Sequence, residues 1–209
     1  MAYSVDIYDK KGKVVSTVDL NEEIYSDGII NESLIHEYYL LQTSNARINI
    51  ACVKGRGEVN GSGRKLYKQK GTGNARTGGK QSPVRKGGGV AFGPRGDRNF
   101  TKGMNKKAKK LALAGMITIK AKESALLGLD EFVLSTPKTK AAIEILNNIG
   151  AQNAKVLVVL NNKNDNATKS LRNIPSVKYV SVGYLNPFDV LSADKIVFEQ
   201  AALEAINTK

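Results

Sequence analysis

The sequence predicts a three-layer α/β/α globular domain with a mostly parallel sheet, interrupted by one long, extended, basic and Gly-rich loop. From residue 126 onward, short apolar strands alternate with amphipathic helices, which indicates a parallel sheet flanked by helices. Residues 156–160 read Val-Leu-Val-Val-Leu, a continuous apolar run typical of a strand covered on both faces. Residues 54–110 instead contain few apolar side chains and many Lys, Arg and Gly. We therefore expect one α/β domain over residues 1–209, with the loop inserted at 54–103.

The N-terminal part is predicted to form a hairpin, a helix and a strand. Residues 3–8 and 14–18 each alternate apolar with polar side chains and are separated by a Gly-containing turn, as in a β-hairpin. Apolar side chains then recur at helical spacing over 31–45, where Asn31 is the candidate N-cap. A strand over 48–53 is expected to lead into the loop.

A further helix is predicted directly after the loop. One face is marked by six apolar side chains at helical spacing: Met104, Ala108, Leu111, Ala112, Met116 and Ile119. Its flank and opposite side are crowded by four lysines: Lys106, Lys107, Lys109 and Lys110. Taken alone, these lysines fit an ordinary amphipathic surface helix as well as a binding surface. Their position next to the basic loop favours contact with phosphate groups.

Strand and helix alternate through the rest of the chain. Strands are predicted over 126–134, 155–160, 177–182 and 196–198, and helices over 137–149, 166–172, 186–191 and 200–206. The helix over 137–149 is expected to have Thr136 as its N-cap and Pro137 at its first position, where proline's missing N–H needs no partner. Pro175 is expected to end the helix over 166–172, because proline cannot continue a helix.

The chain has one cysteine, Cys52, and one histidine, His36. An internal disulfide and a Cys and His metal cluster are therefore excluded, and this cysteine usage suits a reducing compartment. We expect Cys52 to be a small buried apolar residue and His36 to pack within its helix. No apolar run approaches the ~20 residues of a membrane span, and the N-terminus does not resemble a signal peptide. We expect a cytoplasmic protein without a membrane partner.

Positive charge is concentrated in one part of the sequence. Residues 54–110 contain 17 Lys or Arg, 14 Gly and only two acids, so they carry a formal +15 in a chain whose net charge is +13. The other 152 residues carry −2. A solvated charge run or a disordered linker would have a similar composition. Charge confined in this way more specifically favours a nucleic-acid partner, whose phosphates neutralise the cations.

The basic segment cannot fold by itself. Its eight bulky apolar side chains are too few to offset the loss of conformational entropy on ordering 57 residues. A loop of this length that leaves and returns can reach about 90 Å outward. We therefore expect the segment to be mobile in the free protein and to become ordered when it is threaded into a larger polyanion.

Two other classes of function are compatible with parts of the sequence. Residues 71–76 begin like a dinucleotide fingerprint but have Arg76 where Gly is required, and residues 73–81 resemble a P-loop only loosely because Gln81 replaces the Ser or Thr. Residues 54–110 contain no His, so catalytic residues, a metal, a cofactor and a small-molecule substrate are not expected. The chain is thus not predicted to be an enzyme. The charge pattern leaves open a non-specific basic chaperone or DNA-compacting protein.

Four motifs in the basic segment resemble one known family. They are QKGTGNAR at 69–76, SP at 82–83, GGGVAFGPR at 87–95 and NKK at 105–107. In this order they resemble the bacterial form of the large-subunit ribosomal protein four family, and the flanking α/β elements extend the resemblance over nearly the whole chain. Two departures stand out: residues 66–68 read Leu-Tyr-Lys where the family usually has Pro-Trp-Arg, and Asn74 replaces an Arg.

The resemblance implies a non-enzymatic structural constituent of the large ribosomal subunit in the cytoplasm. It implies that the globular domain lies on the outside of the subunit, while the loop runs inward through large-subunit rRNA and lines part of the nascent-peptide exit tunnel. It also implies a role in early subunit assembly. The implied partners are large-subunit rRNA, neighbouring large-subunit ribosomal proteins and the nascent peptide.

The motifs and the charge pattern together predict which residues bind rRNA and line the tunnel. The tunnel-lining tip maps to Arg64, Lys65, Leu66, Tyr67 and Lys68. The candidate rRNA-binding residues are Lys54, Arg56, Arg64, Lys65, Lys68, Gln69, Lys70, Gly71, Thr72, Gly73, Arg76, Lys80, Arg85, Lys86, Arg95, Lys102, Asn105, Lys106, Lys107, Lys109 and Lys110. Arg and Lys would contact phosphates, and the glycines would let main-chain amides approach them closely.

Overall fold

A computed structural model of the protein describes residues 3–132, 134, 136–152, 154–162 and 164–208. Its internal contacts divide the chain into two units. We call Met1–Thr43 together with Lys102–Lys209 the body, and Ser44–Thr101 the insert. The insert therefore starts ten residues before the loop predicted at 54–103.

The body contains one mixed sheet. The strands found among the described residues are β1 (Ser4–Tyr8), β2 (Val14–Asp19), β3 (Leu126–Leu129), β4 (Val156–Leu160), β5 (Val177–Ser181) and β6 (Lys195–Glu199). Their order across the sheet is β2-β1-β3-β6-β4-β5. The hairpin pair β1 and β2 is antiparallel, and the pairs β1–β3, β3–β6, β6–β4 and β4–β5 are parallel. The predicted α/β class with a mostly parallel sheet is confirmed.

Helices connect and cover the strands. They are α1 (Glu32–Ala46), α2 (Lys106–Lys122), α3 (Thr139–Asn148), α4 (Asp165–Leu171), α5 (Pro187–Ser192) and α6 (Gln200–Asn207). Asn164 caps α4 by accepting from the N–H groups of Asn166 and Ala167, and Asn186 caps α5 in the same way at Asp189. Within the described residues, no helix is both long enough and apolar enough to cross a bilayer.

The two faces of the sheet carry two hydrophobic clusters, and β4 shows why. All five of its side chains are buried, and they alternate between the clusters because successive strand residues point to opposite faces. Leu157 and Val159 pack in the cluster that includes residues of α1, α2, α5 and α6. Val158 packs in the cluster that includes residues of α3 and α4. The body therefore has the three-layer arrangement that the apolar run in β4 predicts.

Helix α2 buries only part of the face predicted for it. Ala112 and Met116, four residues apart, are almost inaccessible, as is Ile117. Leu111, which was expected on the buried face, is 46% exposed. It lies one residue, or about 100° of helix rotation, away from Ala112. The contact face therefore combines the small Ala112 and Gly115 with the larger Met116 and Ile117, and it is turned away from Leu111.

Three predictions around the start of the insert are wrong. Residues 48–53 form no strand, and Ile48 and Ile50 are 77% and 82% exposed. The side chain of Asn49 instead donates to the backbone oxygens of Arg95 and Arg98. Cys52 is exposed because the surrounding segment has no core to cover it. His36 is also exposed, since α1 buries Ile35 and Leu41.

Some element boundaries differ from the predicted ones. Strand β3 ends at Leu129 rather than at residue 134, because its neighbour β1 ends at Tyr8, whose oxygen accepts from the N–H of Asp130. Val133, within the predicted strand, lies outside the described residues. Helix α3 begins at Thr139, two residues after Pro137, because Lys138 has an extended backbone. The other C-terminal elements lie within a residue or two of their predicted positions.

Candidate nucleic-acid interface

The insert holds nearly all of the excess positive charge. Its 58 residues contain 13 Lys or Arg against Glu58 and Asp97, a formal +11 of the net +13. The body has 19 Lys or Arg and 17 acids, so it is nearly neutral. The carboxylate of Glu58 accepts a hydrogen bond from the N–H of Gly55 at 2.7 Å. The two units thus differ in electrostatics as sharply as they do in secondary structure.

The insert folds back on itself through scattered backbone pairs rather than through regular strands. At one end, the N–H of Val53 donates to the oxygen of Pro94 at 3.1 Å, and the N–H of Val90 donates to the oxygen of Lys54 at 3.0 Å. Further along, Leu66 N–H donates to the oxygen of Gly78 at 3.3 Å, next to an isolated antiparallel bridge between Lys65 and Gly79. The segments 53–66 and 78–94 are therefore two paired limbs.

Gln81 ties the limbs together between these two ends. Its side-chain amide donates to the backbone oxygens of Val59 at 2.7 Å and Gly61 at 3.0 Å. Its own backbone oxygen accepts from the N–H of Gly89 at 3.0 Å. Gln81 was not among the predicted binding residues, yet its side-chain amide is the main side-chain link across the limbs.

The limbs are joined by a turn around residues 68–74. The hydroxyl of Tyr67 contacts the hydroxyl of Thr77 at 2.8 Å and donates to the backbone oxygen of Ala75. The ammonium of Lys65 donates to the side chain of Gln69. The ring at the place where the family usually has Trp is therefore anchored through its hydroxyl, a bond that an indole could not make in the same way.

The predicted binding residues fall into two groups, one in each unit. In the insert, every one of them is exposed: Lys54, Arg56, Arg64, Lys65, Lys68, Gln69, Lys70, Gly71, Thr72, Gly73, Arg76, Lys80, Arg85, Lys86 and Arg95. Leu66 is exposed as well, and Tyr67 is half-buried. In the body, Lys102, Asn105, Lys106, Lys107 and Lys110 are exposed and Lys109 is half-buried. The charged heads of both groups can therefore be reached from solvent.

Two arginines cluster around an aromatic ring that the sequence did not predict as part of the site. The guanidinium carbons of Arg47 and Arg98 lie 4.3 and 4.8 Å from the centre of the Phe100 ring. Such cation–π contacts hold both guanidinium groups in place. Ser44 fixes the same residue by donating from its hydroxyl to the oxygen of Phe100 at 2.6 Å. Arg47 could not be found from sequence because its contact with Phe100 spans 53 residues.

The pKa shifts that the structure explains lie in the body. The hydroxyl of Tyr3 donates to Asp27 at 2.8 Å, which raises the pKa of Tyr3 and lowers that of Asp27. Lys122, 3.6 Å from the same carboxylate, lowers the pKa of Asp27 further. Burial raises the pKa of Tyr25 to about 12 and also raises that of Tyr38. These shifts follow from packing and local pairs rather than from a catalytic arrangement.

Comparison with known proteins gives a consistent result. Residues 18–209 match the family described as "Ribosomal protein L4/L1 family". A protein of Halothermothrix orenii named "Large ribosomal subunit protein uL4" is 42% identical over 199 residues, which covers 95% of this chain and 94% of that protein. Proteins of the same name from Agathobacter rectalis and Caldicellulosiruptor bescii are 41% and 38% identical, each over 97% of this chain and over 97% and 96% of their own lengths. The chain therefore belongs to the ribosomal protein L4/L1 family.

Proposed function

We propose that this protein is a structural component of the large ribosomal subunit and binds large-subunit rRNA through its basic insert. The observation that carries the proposal is the +11 charge of the insert, on side chains that are exposed. The lysines at the start of α2 extend the same chemistry into the body. This role is one of binding rather than catalysis, and it agrees with a cytoplasmic location within the subunit.

The arrangement of the insert suits binding to an RNA backbone. Phosphate groups attract the exposed Lys and Arg heads, and release of condensed counterions adds to the affinity. Arg56 and Arg95 can each fork across two phosphate oxygens, whereas Lys54 provides a point charge. The glycines leave backbone amides accessible between these cations. Recognition of RNA shape and backbone is the mode that this composition supports.

We further propose that residues 54–103 penetrate the rRNA of the subunit as one excursion from a single α/β domain. The tip, Arg64–Lys68 together with the turn that follows it, would line the nascent-peptide exit tunnel and contact the nascent peptide. Other surfaces would contact neighbouring large-subunit ribosomal proteins, and ordering of the insert on RNA would support early assembly. The hydrogen bonds of Tyr67 with Thr77 and Ala75 support a defined shape at this tip.

Salt dependence of rRNA binding tests the proposal. A variant with Arg64, Lys65, Lys68 and Lys70 changed to Gln removes four exposed cations of the insert. Because each neutralised phosphate contributes about 0.7 to 0.9 to the slope of log affinity against log salt, we expect the slope to fall by roughly 3. The measurement is filter binding of large-subunit rRNA between low and moderate salt.

A matched control removes the same charge from the body. Changing Lys11, Lys13, Lys138 and Lys140 to Gln takes away four exposed lysines outside the insert. This control should keep the wild-type slope, and the tagged control should sediment with large subunits in a sucrose gradient of cell lysate. Equal slopes for the insert and body variants would contradict the proposal, as would a wild-type chain that does not travel with large subunits.

A further inference from the structure

Phe92 has a backbone conformation that a bulky residue rarely adopts. Its φ is +54°, in the left-handed region, where a residue with a Cβ is strained. Its ring is fully exposed to solvent. The ring therefore gains nothing from packing against the rest of the protein, although the backbone has a costly conformation. Strain of this kind is retained where the surrounding structure enforces it, and it concentrates at binding sites.

The backbone around Phe92 is clamped on both sides. The N–H of Val90 donates to the oxygen of Lys54, and the oxygen of Pro94 accepts from the N–H of Val53, at 3.0 and 3.1 Å. The chain between these two bonds bulges away from the opposite limb, and Phe92 lies at the middle of the bulge. The ring is thus presented by a turn that is fixed to two successive residues of the other limb.

Two glycines let this turn sit against the other limb. A Cβ on Gly93 would lie 2.1 Å from a methyl carbon of Val53, and a Cβ on Gly89 would lie 2.3 Å from the backbone nitrogen of Arg56. Both distances are far below van der Waals contact. The approach of the limbs therefore depends on glycine at these positions.

The surroundings of the ring carry charged side chains of both signs. Beside it is an open recess of about 750 Å³ whose lining includes Arg56 and Arg95 as well as Glu58 and Asp97. Glu58 is already engaged with the N–H of Gly55. An exposed planar ring that lines the same recess as two guanidinium groups has the features that a nucleotide requires, a surface for stacking the base and positive charge for its phosphates.

We propose that Phe92 stacks on an unpaired base of the large-subunit rRNA, with Arg56 and Arg95 contacting the phosphates beside that base. This inference rests on the proposed rRNA binding and adds one base contact to it. The ring of Phe92 has no hydrogen-bonding group, so the stack accepts any base and does not read sequence. The contact would also explain why the strained turn is retained, since bound RNA would cover the ring.

Tryptophan fluorescence tests the stack directly, because the chain contains no Trp. Phe92→Trp places a single fluorophore at the turn, and Val84→Trp places one at a matched site of the insert that is 94% exposed. On titration with large-subunit rRNA, we expect strong quenching of the Trp at position 92 and much weaker quenching at position 84. Equal quenching at both positions would reflect general proximity to RNA and would overturn the stack.

The affinity of Phe92 variants for large-subunit rRNA tests the stacking contact separately from the rRNA binding on which it rests. We expect Phe92→Leu to weaken binding about 5- to 100-fold and Phe92→Trp to keep wild-type affinity, because only the ring can stack. The salt slope should stay unchanged in both, since no cation is lost. Wild-type affinity in Phe92→Leu, with rRNA binding intact, would overturn the stack alone. Absence of rRNA binding by the wild-type chain would overturn both proposals.

Discussion

The hydroxyl of Tyr25 is a polar group that the body buries. Tyr25 is almost inaccessible, and its hydroxyl donates to the backbone oxygen of Ile206 at 3.3 Å. Burial raises its pKa to about 12, because the phenolate would lose its hydration there. The folded protein therefore favours the neutral ring more strongly than the unfolded chain does.

This shift predicts a loss of stability at high pH. A raised folded-state pKa gives a contribution that is complete below the unfolded pKa of about 10 and is lost as pH rises towards 12. Between pH 9 and pH 12, the free energy of unfolding of the wild type should therefore fall by roughly 2 kcal/mol more than that of Tyr25→Phe. Urea denaturation at both pH values measures the difference.

Tyr184→Phe is the control for that experiment, because Tyr184 is 80% exposed. Its stability should change with pH as the wild type does. If Tyr25→Phe also keeps the wild-type pH dependence, burial of Tyr25 does not perturb its ionisation.

The exposure and conformation of single residues could be predicted from the sequence in some cases and not in others. The exposure of cations such as Lys54 and Arg64 was predictable, since unpaired charges rarely enter a core. Burial of Cys52 and packing of His36 were predicted wrongly, because each residue was expected to follow the average behaviour of its type, whereas both are exposed. The positive φ of Phe92 could not be foreseen, as it depends on pairing between residues about 40 apart.

Elements with their own local signal were predicted well. Strand β4 is apolar at every position, and the hairpin β1–β2 alternates over a short turn, so neither required knowledge of distant partners. The predicted strand over 48–53 had a similar apolar content and failed. A strand needs a neighbour to satisfy its backbone, and the facing segment 94–98 is irregular and rich in Gly, Pro and Arg. The pattern of apolar residues indicates where a strand could form, but it does not show whether a neighbouring segment can pair with it.

The pairing of the two limbs of the insert predicts a sensitive glycine. Gly89→Ala would place its Cβ 2.3 Å from the backbone nitrogen of Arg56, so the limbs would have to separate. Overpacking of this kind costs about 1 to 3 kcal/mol, and we expect the affinity for large-subunit rRNA to fall about 5- to 100-fold. Filter binding at one fixed salt concentration measures the change.

Gly57→Ala is the matched control, in the opposite limb of the insert. A Cβ on Gly57 meets no atom within 4 Å, so its affinity should remain within about twofold of wild type. Should Gly89→Ala bind as well as Gly57→Ala, close approach of the limbs at Gly89 would be irrelevant to binding.

At the scale of the whole molecule, the two units have different sources of order. The body buries apolar side chains on both faces of its sheet. In the insert, all of whose residues the structure describes, Gly89 is the one buried residue. Hydrogen bonds and glycine contacts hold the insert, without a hydrophobic core to make them cooperative. The fold class of the body followed from sequence, whereas the pairing inside the insert has no hydrophobic pattern that could reveal it.

This contrast predicts two rates of hydrogen exchange in the free protein. Amides of Val156–Leu160 should exchange slowly, because they lie in a doubly covered strand. Amides of residues 54–103 should exchange rapidly in the free chain and slow down by orders of magnitude when large-subunit rRNA is added. Mass spectrometry of peptides from both regions measures this difference.

The hydrogen-exchange experiment has an internal reference, since the amides of Val156–Leu160 should exchange equally slowly with and without RNA. Slow exchange of residues 54–103 before any RNA is added would show that the insert is already ordered by its own contacts, contrary to the expectation.

The exposure of Cys52 has a consequence for the chemistry of the free protein. Cys52 is the sole thiol of the chain and lies at the surface of the insert. Air oxidation can therefore link two molecules by one disulfide, after which neither has a thiol left to extend the product. Covalent dimers are the end point of such oxidation, and a maleimide dye attaches with a stoichiometry of one, on the cationic unit of the molecule.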